Sequence, residues 1–112
     1  MEARLKSEIW IKALIRRWQG QFVPVMVCHR GDTDAGSILL KLNRFAGGCR
    51  VYSQTRTADG ARAWLSATGL GVVDEKTADD YIARQLRYDP DVWVLEVEDT
   101  AGIFDLDDPV VS

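Results

Sequence analysis

The chain has 112 residues, 46% hydrophobic and 28% charged, the composition of one globular domain with a core of its own. A net charge of -3 and a pI near 5.1 argue against a protein that binds nucleic acid by neutralising phosphates, so no DNA is expected. An RNA reading would rest on Arg16, Arg17, Arg44 and Arg50 and is weak; no apolar run approaches the roughly 20 residues that cross a bilayer, so no membrane is expected.

In chain order, an amphipathic helix is expected over Ser7–Gln19, with Ser7 as N-cap, Gly20 just past its end and Glu8, Lys12 and Arg16 as a polar stripe. Its apolar residues Ile9, Trp10, Ile11, Ala13, Leu14, Ile15 and Trp18 cover more than the arc of about 100° that one sheet contact needs. The surplus calls for cover by the C-terminal segment or by a second copy, and Trp10, Leu14 and Trp18 are the expected interface of a homodimer.

Residues 22–28 and 37–42 read as two antiparallel strands joined by the turn His29-Arg30-Gly31-Asp32-Thr33-Asp34-Ala35-Gly36, with Gly31 and Gly36 free to take positive φ. Residues 49–55 and 62–67 read as a further hairpin around Asp59-Gly60, which completes a four-strand meander. A second helix is expected over residues 77–88, N-capped by Thr77 and stopped by Asp89-Pro90, and a strand over 91–98 follows. Ile103-Phe104 adds a short strand, and a mobile acidic tail begins at about 105. The expected fold is therefore a single α+β domain over 1–112, with both helices on one face of an antiparallel meander of about five strands.

The densest group of reactive side chains is Arg30, Asp32 and Asp34, with His29 beside them. The same aspartates also suit a turn that bonds its own amides. Adjacent strand residues point to opposite faces, so His29 cannot activate Cys28, and Cys49 would have to reach His29 from another strand. One histidine excludes a His-rich metal site. A calcium loop from Asp32 fails because its twelfth position is Asn43, and neither Gly47-Gly48 nor Gly69-Leu70-Gly71 matches a phosphate-binding loop. Arg30 and Arg44 lie at opposite ends of the second strand and cannot share a ligand. No metal and no cofactor is expected.

These residues imply a non-enzymatic cytoplasmic binding or interaction module whose charged turn, Arg30, Asp32 and Asp34, docks a protein or a small polar ligand. Cys28 and Cys49, without a CxxC pattern, suit reduced thiols in that compartment. The alternative is a small hydrolase or transferase that uses Asp32 and Asp34 as general base or metal carboxylates.

Four ordered blocks carry a resemblance: residues 4–13 (RLKSEIWIKA), 30–36 (RGDTDAG), 41–44 (KLNR) and 88–99 (YDPDVWVLEVED). Together they resemble a small bacterial family classed as a domain of unknown function, over residues 4–105. The resemblance implies a stand-alone bacterial cytoplasmic protein and brings no catalytic residue with it.

Overall fold

The computed structural model describes residues 6–111; Arg4 and Leu5 of the first block lie outside them. Helix α1 spans Ser7–Gln19 and is followed by β1 (Val25–His29), β2 (Ile38–Asn43), β3 (Cys49–Arg56), β4 (Arg62–Ser66), α2 (Glu75–Tyr88), β5 (Trp93–Glu98) and β6 (Val110–Val111). No helix among the described residues is long and apolar enough to cross a membrane.

The strands form one six-stranded mixed sheet in the order β1-β5-β2-β3-β4-β6, so the fold is α+β without being an antiparallel meander. The β2-β3 and β3-β4 hairpins form as the turn residues dictate, with Gly60 at φ 88 in the second. The expected β1-β2 hairpin does not form. Instead β5 lies between the two, antiparallel to β1 and parallel to β2, which places Ile38 beside Trp93, Leu40 beside Leu95 and Leu42 beside Val97. The reason is legible in β2: every residue from Ile38 to Asn43 is buried, as in a central strand covered on both faces and flanked by two partners.

The helices also lie on opposite faces rather than on one. Ile38, Leu40, Leu42, Trp93, Leu95 and Val97 point into a core shared with Ile11 and Trp18 of α1. Leu39, Val51 and Val94 point into a second core shared with Ala78 and Ile82 of α2. The period of two along each strand therefore divides the apolar residues between two layers.

Helix α2 begins earlier than expected, because Asp74 and not Thr77 is the N-cap: Asp74 Oδ1 accepts from the Thr77 N–H at 2.9 Å. In α1 the N-cap position belongs to Lys6, and Ser7 is the first helical residue. Gly20 keeps a right-handed backbone, and the left-handed residue after the helix is Phe22, at φ 62.

The segment after β5 crosses α1. Phe104 packs on Trp18 with ring centroids 4.8 Å apart, Leu106 packs against the same core, and Arg17 pairs with Asp107. Of the two covers that the wide apolar face of α1 calls for, this segment is in place. Ile103-Phe104 forms no strand, while Val110–Val111 adds to the sheet edge as β6, parallel to β4.

Gly31 and Gly36 have no positive φ; they are needed for contact. A Cβ on Gly31 would stand 2.2 Å from the Asp91 carbonyl oxygen, and one on Gly36 2.5 Å from the same atom. Gly31→Ala is therefore expected to cost about 2–3 kcal/mol by overpacking, whereas Gly71→Ala, with open space around it, stays within about 0.5 kcal/mol of wild type. Urea unfolding of the two variants checks this, and equal midpoints would refute it.

Candidate functional site

The turn from Arg30 to Gly36 gathers three parts of the chain. Its carbonyls receive the first amides of α1, with Ser7 N–H donating to Asp34 O at 3.3 Å and Glu8 N–H to Thr33 O at 3.1 Å. These groups have no partner inside a helix, so the turn acts as the cap that Ser7 does not provide. The Ser7 hydroxyl instead donates to the buried Gly36 carbonyl at 2.6 Å. Trp93 Nε1 donates to Asp32 O at 2.7 Å, and Asp32 N–H donates to Asp91 O at 2.9 Å.

The three expected site residues are present there with partners. Arg30 lies 5.4 Å above the Trp93 ring and pairs with Glu8. Asp32 Oδ2 accepts from the amides of Ala35 at 2.8 Å and Asp34 at 3.2 Å. Asp34 faces Lys6 at 3.6 Å. His29 Nδ1 stands 2.9 Å from Val92 O, a contact that needs the proton on Nδ1. Cys49 lies at the other end of the sheet, paired with Asn43, and does not approach His29. Cys28 sits at a register irregularity between Val27 and His29, where burial and the nearby Glu96 carboxylate push its thiol up. A raised thiol is a poor nucleophile at neutral pH.

A second polar group forms on the α2 side of the sheet. Lys41, only 4% exposed, reaches Glu75 Oε2 and Asp79 Oδ1 at 2.7 Å each and Glu96 Oε1 at 3.4 Å. Asn43 Nδ2 donates to both Glu75 and Glu96 at 3.2 Å. Burial alone would lower the Lys41 pKa, but hydrogen bonds to Asp79 and Glu75 and the charge of Glu96 raise it well above the ordinary lysine value. Lys41 is thus held cationic and is no base or nucleophile; it ties the first turns of α2 to β2 and β5. Among the described residues no three His, Cys, Asp or Glu side chains are placed to hold a metal ion.

Lys41 has a sequence signal, since a lysine inside the apolar run Ile38-Leu39-Leu40-Lys41-Leu42 needs partners if the strand is central. Asp99 has none. It is 1% exposed, with its carboxylate accepting from the amides of Ile103 at 2.9 Å and Phe104 at 3.0 Å and from Arg44 Nε at 3.2 Å. Burial opposes the charged form, yet these donors hold its pKa below the usual carboxylate range.

The end of the sheet where β2 and β5 finish is apolar at its surface. Phe22 is 95% exposed and Leu70 87%, and Phe45, Val72 and Ile103 are each about half exposed. The register brings them to one end: Glu98 N–H bonds Pro24 O, Asp99 N–H bonds Asn43 O, and Cys49 bridges to Val73. Phe22, Val23, Pro24, Asp99 and Ile103 border a cavity of about 360 Å³ there. Phe22 and Phe45 are also the two non-glycine residues with positive φ among those described, at 62° and 55°.

A family model described as a protein of unknown function, DUF1491, matches residues 5–105. The crystal structure of a DUF1491 family protein from Caulobacter crescentus CB15 is 37% identical, with a TM-score of 0.85, over 96% of this chain and all of that one. An NMR structure of a DUF1491 family protein from the same organism is 37% identical with a TM-score of 0.82, over 99% of this chain and all of that one. The solution structure of protein Atu0922 from A. tumefaciens is 27% identical over 86% of each chain, with a TM-score of 0.72. No curated protein matches.

Lys41→Met leaves three carboxylates facing each other and is expected to cost about 2 kcal/mol, discounted for the half-exposed Glu75 and Asp79. A raised folded-state pKa makes this contribution complete below the ordinary lysine value and lost as pH rises through the raised one. The gap between wild type and variant should therefore be constant at neutral pH and shrink above about pH 10.5. Asp99→Asn should cost about 2 kcal/mol at neutral pH. Its depressed pKa reverses the sign: the gap holds above about pH 4 and closes as pH falls below it. Chemical unfolding across both pH ranges tests the two; gaps independent of pH would contradict them.

Proposed function

The chain belongs to the DUF1491 family, and we propose that this member is a small non-enzymatic interaction module that docks a protein partner through the apolar end of its sheet. The observation that carries this reading is the backbone under its aromatics. A left-handed conformation costs an L-residue roughly 1–2 kcal/mol, and glycine or asparagine would occupy it with less strain. Here two phenylalanines occupy it, one of them almost wholly in water. Folding gains nothing from an exposed phenyl ring on strained backbone, whereas a partner that buries the ring does.

The charged turn supports docking less well, since Arg30, Asp32 and Asp34 are engaged with Glu8, their own loop and Lys6. For the same reason a hydrolase or transferase with Asp32 and Asp34 as general base or metal carboxylates has less support. Asp32 Oδ2 already accepts two amides. The reading places the protein in the cytoplasm, where the two free thiols, Cys28 and Cys49, stay reduced.

The double variant Phe22→Asn, Phe45→Asn is expected to gain about 0.5–1 kcal/mol of stability by relieving the backbone. It should also lose the proteins that wild type retains when used as bait in extract of its native cells. A variant that is less stable, or that retains the same partners, would count against the reading.

A further inference from the structure

The end of the sheet opposite the apolar one is notched. The ladder between β2 and β3 begins at Leu39 and Ser53, so residues 54–56 of β3 have β4 alone beside them, and Ile38 pairs with Trp93 of β5 but with no residue of β3. On the α2 side the notch opens into a cavity of about 240 Å³. Leu39 and Val92, each 4% exposed, give it an aliphatic floor. Its helical wall is the row Tyr81, Gln85 and Asp89, spaced by four along α2 and its C-cap, and the sheet side contributes Ser37 and Ser53. A helix row that faces a sheet is ordinarily apolar, as Ala78 and Ile82 are in this helix. Here the row is polar and unused by the fold. Among the described residues, the Tyr81 hydroxyl, the Gln85 amide and the hydroxyls of Ser37 and Ser53 have no hydrogen-bond partner, and none of them is sealed from solvent. Asp89 accepts the Asp91 N–H on Oδ1 at 3.0 Å, which leaves Oδ2 open.

We infer that this cavity binds a small uncharged polyhydroxyl molecule of monosaccharide size. The volume lies below the roughly 300–1,000 Å³ of sites for drug-sized ligands, which sets the scale. Charge decides against an anion. No lysine or arginine borders the cavity, its one charged residue is Asp89, and the carbonyl end of α2, which carries partial negative charge, lies beside it. Arg84 and Arg87 of the same helix are exposed and form no part of the lining. Burial holds the Tyr81 phenol above its usual pKa against the opposing charge of Arg84, so it meets a ligand as a neutral hydroxyl. Hydrogen bonding then selects among uncharged ligands. Serine, tyrosine and glutamine side chains each donate and accept, whereas the Asp89 carboxylate only accepts. A ligand hydroxyl also does both and can turn its proton to suit either kind of neighbour. The aliphatic floor matches the C–H face of a sugar ring. This site lies at the other end of the sheet from Phe22 and Phe45 and rests on no part of the docking reading.

The test titrates glucose, galactose, mannose and myo-inositol in turn into the isotope-labelled whole chain while NMR follows its backbone amides. At least one should give saturable shifts in the millimolar range, confined to Ser37, Ser53 and residues 81–92. The phosphate ester of the same compound should bind at least ten-fold more weakly. Tyr81→Phe and Gln85→Ala each remove a group that bonds nothing in the protein, so the double variant should keep the wild-type circular dichroism spectrum and lose at least ten-fold in affinity. The Phe22→Asn, Phe45→Asn variant should bind as wild type does, which separates this inference from partner docking. The absence of a saturable shift with all four compounds, equal binding of the phosphate ester, or an unchanged affinity in the Tyr81→Phe, Gln85→Ala variant would overturn it.

Discussion

The arrangement of the sheet depends on one close approach of backbone to backbone. The turn between β1 and β2 lies so near residues 91–93 that a single Cβ at Gly31 or Gly36 would overlap the Asp91 carbonyl. With the gap closed, Trp93 Nε1 reaches Asp32 O and Asp32 N–H reaches Asp91 O, and the start of β5 is held at the mouth of the turn. β5 then runs between β1 and β2 in place of a hairpin. The same turn receives the first amides of α1, so one loop positions a helix and the central strands together.

From that centre the two faces of the sheet are stabilised differently. The α1 face is an aromatic layer, with Trp18 against Phe104, Trp10 5.6 Å from Trp64, and Trp93 in the same core. The α2 face carries a smaller apolar cluster and, beside it, the ionic group around Lys41. A cation on a buried strand is costly unless paired, and three carboxylates and the Asn43 amide complete the group here. Asp99 plays the matching part for the C-terminal segment, since its carboxylate gathers the amides that set Phe104 onto Trp18.

Local structure was legible where chemistry is local. The α1 boundaries, the Asp59-Gly60 hairpin, the stop at Asp89-Pro90 and the strand character of β5 follow from periodicity and turn residues. Strand order was not legible, because no local signal says that β5 pairs with strands so far upstream. The apolar run Ile38-Leu39-Leu40 in β2 lacks the alternation of a strand with one face in water, and all six residues of the strand are buried. Gly31 and Gly36 stand out in the sequence, but glycine serves both for positive φ and for close contact, and only the fold distinguishes the two. The charged turn stood out for its composition, while the ionic group at Lys41 is assembled from β2, α2 and β5 and has no contiguous motif.

The position of β5 also sets the order of events as the chain leaves the ribosome. β1 and β2 are synthesised early, yet the strand that joins them comes after both hairpins and α2. Until residues 93–98 emerge, the apolar strands Val25–His29 and Ile38–Asn43 each lack a neighbour, and Lys41 lacks Glu96. The nascent chain can build β2, β3 and β4 as a local meander, but β1 joins the sheet only when residues 93–98 are available. Assembly is therefore a late, concerted step, and the strands that wait for it are the stretch of this protein that most needs shielding by chaperones during synthesis.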